Sequence, residues 1–401
     1  MDTVANHPDA AFPRFHPRPA KGWISHPKGL SYADGRYHVS FGYNPDSVRH
    51  SAIRWGHLSS PDLVRWDEEP VGLRPQPDGP AAGTPADPQV TAVRDPFIFH
   101  FRGRRYALQG AGLASGRAAV LLYGVDDLRT WKYEGIWFTS DQPLAARHLP
   151  AQIWECPQLV RLPESSGAET WLLMASLWLA GDLHEHANGV GYLLGSVVPG
   201  VAGLPVFVPE SGGKADLGRE FYAPQTLPLP LQQRTLLWGW SPEATGGGEW
   251  PGRSQQETED AGWAGILTFP RQLSVHGGAL AVEPAAELQA YRGARLRAGA
   301  AGTLALPGYA EAHVSGGEGR IRLILHSARG QRTVFSAEAA GGDEFRIFVD
   351  ASIVEAYHHG SVPTTVRAYP GPEEQWRLEL PHGASADAWE LRHPDQPSAP
   401  G

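Results

Sequence analysis

Three short stretches of the chain set an ionisable residue one or two places ahead of a proline and among apolar neighbours. They are Trp23-Ile24-Ser25-His26-Pro27-Lys28-Gly29, Val93-Arg94-Asp95-Pro96-Phe97 and Ile153-Trp154-Glu155-Cys156-Pro157-Gln158. A charge there is costly to desolvate unless it is paired or used in chemistry. The chemistry open to Asp95 and Glu155 is proton transfer and charge stabilisation. Each also has a purely structural use: Asp95 in a salt bridge with its neighbour Arg94, and Glu155 as a turn carboxylate. The His-x-His spacing in Gly181-Asp182-Leu183-His184-Glu185-His186 could hold zinc, but the run is polar throughout and reads as a solvated loop. No metal and no cofactor is expected. Cys156 is the only cysteine, which excludes an intramolecular disulfide. With no partner His evident, it reads as packing that tunes Glu155 and not as a nucleophile.

These residues need a scaffold, and its pattern is β. Runs such as Tyr37-His38-Val39-Ser40-Phe41 and Ala119-Val120-Leu121-Leu122-Tyr123 recur between Gly, Pro and Asp, whereas helical periodicity is nearly absent. From Trp23 to about Arg292 one unit repeats loosely, with Asp62-Leu63-Val64-Arg65-Trp66 echoed by Asp127-Leu128-Arg129-Thr130-Trp131. Repetition of this kind predicts propeller blades, with each Trp packed between neighbouring blades and the first strands converging their side chains on a central funnel. After Arg292 an Ala/Gly-rich linker leads into alternating strands at Gly319-Arg320-Ile321-Arg322-Leu323-Ile324-Leu325 and Phe345-Arg346-Ile347-Phe348-Val349-Asp350, which predict a β-sandwich. The expected layout is a lead-in over 1–22, a propeller over 23–292, a sandwich over 293–393 and a disordered tail over 394–401. The acidic, glycine-containing stretch 243–260 reads as a mobile loop near the funnel mouth.

With 47 glycines, 36 prolines and 41% hydrophobic residues in 401, the chain suits a folded, turn-rich β protein. Its length suits two domains. A formal charge of −9 without a basic run argues against nucleic acid or an anionic membrane as partner. A neutral small molecule fits better, and the 14 tryptophans supply rings that could stack on sugars as well as fill cores. No apolar stretch approaches membrane-spanning length, and the start of the chain has no signal-peptide pattern, so a cytoplasmic protein is expected.

In their order, the three proline motifs resemble glycoside hydrolase family 32, the invertases, levanases and inulinases. The resemblance extends to Tyr43-Asn44-Pro45, Trp55-Gly56-His57, Gly218-Arg219-Glu220-Phe221-Tyr222-Ala223-Pro224-Gln225, Gly262-Trp263-Ala264-Gly265 and Leu267-Thr268-Phe269-Pro270-Arg271-Gln272-Leu273. In the second domain it includes Ile347-Phe348-Val349-Asp350-Ala351-Ser352-Ile353-Val354-Glu355 and Thr365-Val366-Arg367-Ala368-Tyr369-Pro370. It implies an all-β fold, a five-bladed-type propeller followed by a sandwich, and retaining hydrolysis of fructosides, with a small sugar or oligosaccharide as substrate. By motif, Glu155 would be the general acid/base, its pKa raised by burial. Asp95 with Arg94 would hold the furanose hydroxyls and stabilise the oxocarbenium-like transition state. Trp23, Ser25, Trp55, Tyr222 and Trp263 would line the sugar site.

The departures are as informative. The family's nucleophile motif reads WMNDPNG; here its Asp is His26, its first Asn is Ser25 and its second is Lys28. A Gln that precedes Tyr43 in the family's sugar pocket is Gly42. Between His26 and Asp95 the chain is short by roughly one four-stranded blade, the loss falling in 75–92, so either the propeller has four blades or one blade is incomplete. Three functions follow from this pattern. One is a fructosidase that turns over without the usual aspartate, with His26 at the nucleophile position. The second is an inverting glycosidase in which Asp34, Asp46 or Asp95 orients water. The third is a fructoside-binding protein that no longer cleaves.

Overall fold

The structure is a computed structural model that describes residues 6–71, 85–163, 169–179, 188–243, 252–296 and 302–395. Strands dominate it. Among the described residues the α-helices are short, Pro143–His148 and Gln255–Ala261, as the missing helical periodicity predicts. No helix is long and apolar enough to cross a membrane. The chain divides into two compact units: Met1–Leu73 with Ser241–Arg271 and Val282–Gly401, and Arg74–Trp240 with Gln272–Ala281.

The first unit opens with a sheet in the order Trp263–Ala264, Gly22–Ala33, Arg36–Asn44, Arg54–Ser60, Asp67–Glu68. Its leading hairpin closes on Asp34 and Gly35, both left-handed (φ 51° and 76°), as a two-residue turn between twisted strands requires. Along Arg36–Asn44, Tyr37, Val39 and Phe41 are buried while Arg36, His38 and Ser40 are half-buried, the period-two pattern of a sheet with one core face.

The same unit contains the expected sandwich. One sheet has six strands, the other four in the order Thr303–Leu306, Gln375–Glu379, Gly319–Ser327, Gly330–Ala339. Ile321, Leu323 and Leu325 from the smaller sheet share a core with Ile347, Val349 and Val354 from the larger. Beside that core lies a buried ionic cluster. The backbone N–H groups of Arg14, Phe15 and His16 donate to the Asp350 carboxylate at 2.8, 2.9 and 2.9 Å. The His16 ring spans Asp350 (2.7 Å) and Glu355 (2.9 Å). Glu355 also accepts from Arg271 Nη2 (2.7 Å), Phe269 N (2.8 Å) and the Tyr357 hydroxyl. Burial alone would push the Glu355 carboxyl up, but Arg271, His16 and Tyr357 hold it down at about 2. The cluster ties the lead-in segment to the sandwich through charge-assisted hydrogen bonds.

The second unit is built from meanders in which sequential strands pair. One sheet runs Val90–Phe101, Arg104–Leu113, Ala118–Asp127, Thr130–Thr139, and the next Ile153–Pro163, Glu169–Trp178, Val190–Pro199, Pro205–Lys214. A further sheet follows the order Tyr222–Leu229, Arg234–Ser241, Arg271–His276, Ala279–Pro284. The Asp-Leu-x-x-Trp repeats each close a local turn. Trp66 and Trp131 are each only half-buried. Their indole N–H groups close their own turns on the Leu63 and Leu128 carbonyls at 3.2 and 3.1 Å. The opening Asp caps the same turn, Asp62 accepting from Val64 N and Arg65 N, and Asp127 from Arg129 N. Residues 72–84, 297–301 and 396–401, which hold most of the shortened segment, the linker and the tail, lie outside the described residues, as does the His184/His186 run.

Candidate active site

Three strands of the second unit break their ladders at the same place, next to a proline. The register shifts between Arg94 and Pro96, across from Cys156 between Met174 and Ser176, and between Tyr222 and Gln225. The residue just before each proline is left-handed: Asp95 at φ 22°, Cys156 at 48°, Ala223 at 50°. Proline cannot donate to a ladder, and a bulge adds a residue that re-aims its neighbours, so the dipeptide ahead of each proline leaves the regular alternation. Non-glycine residues with positive φ carry strain that surrounding structure must hold, and they cluster at functional sites.

The consequence is a matched set. Two places before the prolines stand Arg94, Glu155 and Tyr222, and they meet: Arg94 Nε donates to Glu155 Oε1 at 2.8 Å, and the Tyr222 hydroxyl to Glu155 Oε2 at 2.9 Å. One place before stand Asp95 and Cys156, where Asp95 Oδ2 accepts from both Cys156 N and Cys156 Sγ at 3.2 Å. Two sequence expectations are corrected here. Arg94 pairs with Glu155 and not with its neighbour Asp95, because the bulge sends adjacent side chains in different directions. Cys156 is a donor to Asp95, which it anchors, and is not simply packing against Glu155.

Glu155 is nearly buried, at 8% exposure. Burial pushes its carboxyl above the usual range and the Asp95 charge pushes further, while the Arg94 and Tyr222 hydrogen bonds pull back without cancelling the rise. Burial, followed by the Glu155 charge, holds the Tyr222 phenol far up, so Tyr222 remains a protonated donor. Two buried polar residues that sequence reasoning missed brace the bulges. Gln158 Oε1 accepts from Thr226 N and Oγ1 at 2.9 and 3.0 Å, and Ser176 Oγ accepts from Ala223 N at 2.9 Å. The repeated spacing of two residues and then proline, which also occurs in Tyr222-Ala223-Pro224, is the signal that could have grouped Tyr222 with the first three motifs.

In the first unit, Trp23, Ser25 and His26 lie on Gly22–Ala33, whose register also shifts ahead of a proline, between Ile24 and Pro27. Trp23 stacks on His50 at 4.8 Å and 22°. Ser25 is buried, and a Cβ at Gly42 would lie 2.5 Å from its Oγ. The two departures from the family motif are therefore coupled: Ser25 in this rotamer requires glycine at 42. Trp55 is 39% exposed with Lys28 Nζ 5.9 Å from its ring, leaving a face for a ligand. Trp263 is not such a platform. It is fully buried, its indole N–H donates to Asp9 Oδ2 at 2.7 Å, and the guanidiniums of Arg18, Arg253 and Arg367 lie 4.6, 5.0 and 5.6 Å from its ring.

Three further expectations change. In the stretch read as a mobile loop, Gln255–Ala261 is a helix with a Ser254/Glu257 capping box, a signal legible as S-x-x-E. Glu243, at the start of that stretch, is half-buried and accepts from Arg367 Nη2 (3.1 Å), Gly265 N (3.0 Å) and the Tyr369 hydroxyl. Residues 244–251 lie outside the described residues. Asp34 is a hairpin-turn residue and Asp46 is exposed and paired with Arg54 Nη2 at 2.8 Å.

The family described as Glycosyl hydrolases family 32 N-terminal domain matches residues 16–85 and 78–284. The chain belongs to glycoside hydrolase family 32. A sucrose-6-phosphate hydrolase of Klebsiella pneumoniae is 30% identical over 343 residues, 71% of this chain and 69% of that protein. An Escherichia coli raffinose invertase is 27% identical over 336 residues, 70% of this chain and 66% of its own length. The chain thus spans about two thirds of the length of these family 32 relatives. Among solved structures, the Bombyx mori GH32 beta-fructofuranosidase BmSUC1 superposes with a TM-score of 0.77 at 22% identity, over 98% of this chain and 96% of its own. The sucrose-6-phosphate hydrolase of Lactobacillus gasseri gives 0.75 at 18%, over 98% and 96%. The fold is accordingly the all-β propeller plus β-sandwich of family 32.

Proposed function

We propose that this chain is a fructoside hydrolase of the β-fructofuranosidase type, with Glu155 as the proton donor and Asp95 as the carboxylate that stabilises the fructosyl cation. The observation that carries this reading is the Glu155 carboxyl, raised by burial and by Asp95 while held between Arg94 Nε and the Tyr222 hydroxyl. A carboxyl whose acid form is favoured in this way can give its proton to a glycosidic oxygen as the bond to the anomeric carbon breaks. Water then adds to that carbon and returns a proton to Glu155, so the enzyme ends as it began. Arg94, bonded to Glu155 through Nε and to the Val93 carbonyl through Nη1 at 2.9 Å, has Nη2 to offer to furanose hydroxyls.

Family membership supports the substrate class, as do solved family members in complex with sucrose and with 1-kestose. A cytoplasmic location belongs to the same reading and fits a lone reduced Cys156. The test is sugar release from sucrose, 1-kestose, inulin and levan by the purified protein beside Glu155→Gln. Release abolished in the variant is expected; equal release from both proteins would remove Glu155 from the mechanism.

A second reading has its own observation. His26 stands where the family motif has aspartate, and Ser25 and Gly42 have changed together so that each accommodates the other. That is the pattern of a site rebuilt to bind fructosides without forming the covalent ester. Calorimetric binding without turnover, together with turnover gained in His26→Asp, would favour it over the first.

A further inference from the structure

We propose that the first unit carries an accessory saccharide subsite, a pocket of about 460 Å³ whose polar lining is Lys21, Asp46, Ser47 and Glu259. That volume is in the range of small-ligand sites, roughly 300–1,000 Å³. What points to a ligand is the state of the lining groups: Asp46, Ser47 and Glu259 are each held by one oxygen, and Lys21 stands beside them.

Glu259 Oε1 accepts from Arg49 Nε at 2.8 Å and from Gln255 Nε2 at 3.1 Å, and Oε2 has no hydrogen-bond partner among the described residues. Asp46 Oδ2 accepts from Arg54 Nη2 at 2.8 Å, and Oδ1 has no hydrogen-bond partner among the described residues. Ser47 Oγ accepts from Arg49 N at 3.2 Å and keeps its proton to donate. Lys21 lines the same pocket, and its ammonium offers three donors. The remaining wall is Gly22, Pro45, Val48 and Gly262.

The pocket is also preformed. The Asn44 side chain, 2% exposed, donates to the Arg49 and Ser51 carbonyls at 3.1 and 2.6 Å and accepts from Asp46 N at 3.1 Å, which fixes the loop. Glu259 sits on a helix capped at both ends, and Gly22 N donates to Gly262 O at 2.9 Å. A Cβ at Gly22 would lie 2.3 Å from Asn44 O, so only glycine permits this approach.

Acceptors and donors side by side, next to an apolar wall, suit neutral hydroxyl groups on a ring with an apolar C–H face. Two carboxylates disfavour an anion, and the ammonium disfavours a cation. The ligand class is therefore a neutral saccharide. Choosing fructo-oligosaccharides as the probe rests on the function proposed above.

The experiment titrates the full-length Glu155→Gln protein with 1-kestose, a longer inulin-type oligosaccharide and sucrose, with and without Lys21→Ala/Glu259→Ala. The expected result is that the ratio of oligosaccharide to sucrose affinity falls about tenfold, the loss of one or two charge-assisted hydrogen bonds. Asp46→Asn, an independent exposed change, should lower the same ratio less. An unchanged ratio in correctly folded variants, or no oligosaccharide binding by the parent, overturns the subsite. Hydrolysis assays separate this from the function: cleavage with an unchanged ratio removes the subsite alone. Binding that depends on Lys21 and Glu259 without any cleavage removes the hydrolase reading and leaves the subsite.

Discussion

Glu155 in the second unit and Glu355 in the first are a natural pair for comparison. Each is a buried glutamate that accepts from one arginine and one tyrosine: Arg94 and Tyr222 for Glu155, Arg271 and Tyr357 for Glu355. Yet their carboxyls are displaced in opposite directions, Glu155 up and Glu355 down to about 2. Burial favours the neutral acid in both cases. Glu355 overcomes it because Phe269 N and the His16 ring join the arginine and tyrosine, and because Arg271 is as buried as its partner. Among the described residues Glu155 has its two donors alone, Arg94 is 39% exposed, and Asp95 adds a like charge. A lowered and a raised carboxyl thus differ less in their immediate partners than in the number of further donors and the sign of the nearest charge.

The sharpest way to break the comparison is to neutralise each glutamate in turn. Glu155→Gln should lower the rate of fructoside cleavage by about 10²–10⁴, the range for a general acid, with the melting temperature nearly unchanged. Glu355→Gln should do the reverse, costing about 3–5 kcal/mol because Arg271 is left buried without its charge partner. Thermal denaturation and initial rates on the folded fraction would separate the two effects. A catalytic loss in Glu355→Gln at full folding would end the division of labour.

Smaller than that is the pH dependence of stability. Glu355, lowered in the folded state, contributes stability that is present above the ordinary glutamate range and lost as pH falls toward 2. His16 is fully buried, which pulls its pKa down, but Asp350 and Glu355 more than reverse this and raise it. Its contribution is present below the ordinary histidine range and is lost as pH rises through its raised folded value. Maximum stability is therefore expected between the two ordinary ranges, and His16→Gln should remove the loss on the alkaline side in chemical denaturation curves recorded across pH.

For Glu155 the alkaline limb of the pH–rate profile should follow its raised carboxyl. Asp95→Asn removes a raising charge and should move that limb down, while Tyr222→Phe removes a lowering hydrogen bond and should move it up. Limbs that move the same way would sink the assignment of that limb to Glu155. The smallest effect expected is at Ser25 and Gly42. Gly42→Ala should cost about 1–3 kcal/mol by overpacking and be relieved by Ser25→Gly, a coupling that a double-mutant cycle measures.

Much of this was legible in the sequence because it is local. The alternation in Tyr37-His38-Val39-Ser40-Phe41 is a property of one strand, and the proline after Asp95 or Cys156 disturbs a ladder whatever lies beside it. The type of each element and the three motifs follow from such short-range rules. The capping box at Ser254 and Glu257 was equally local and was passed over because the stretch looks acidic and glycine-rich.

What the chain could not declare alone is which distant groups its bulges bring together. That Arg94 meets Glu155 and not Asp95, that Trp263 is enclosed by three arginines while Trp55 keeps an open face, and that Glu243 pairs with Arg367 are outcomes of sheet packing. The sequence by itself determined the strands, the proline-marked bulges and the family. Only the tertiary structure decided how many donors each carboxylate receives and what charge lies next to it. Those depend on residues far away in the chain, and they set which glutamate's carboxyl is raised and which is lowered.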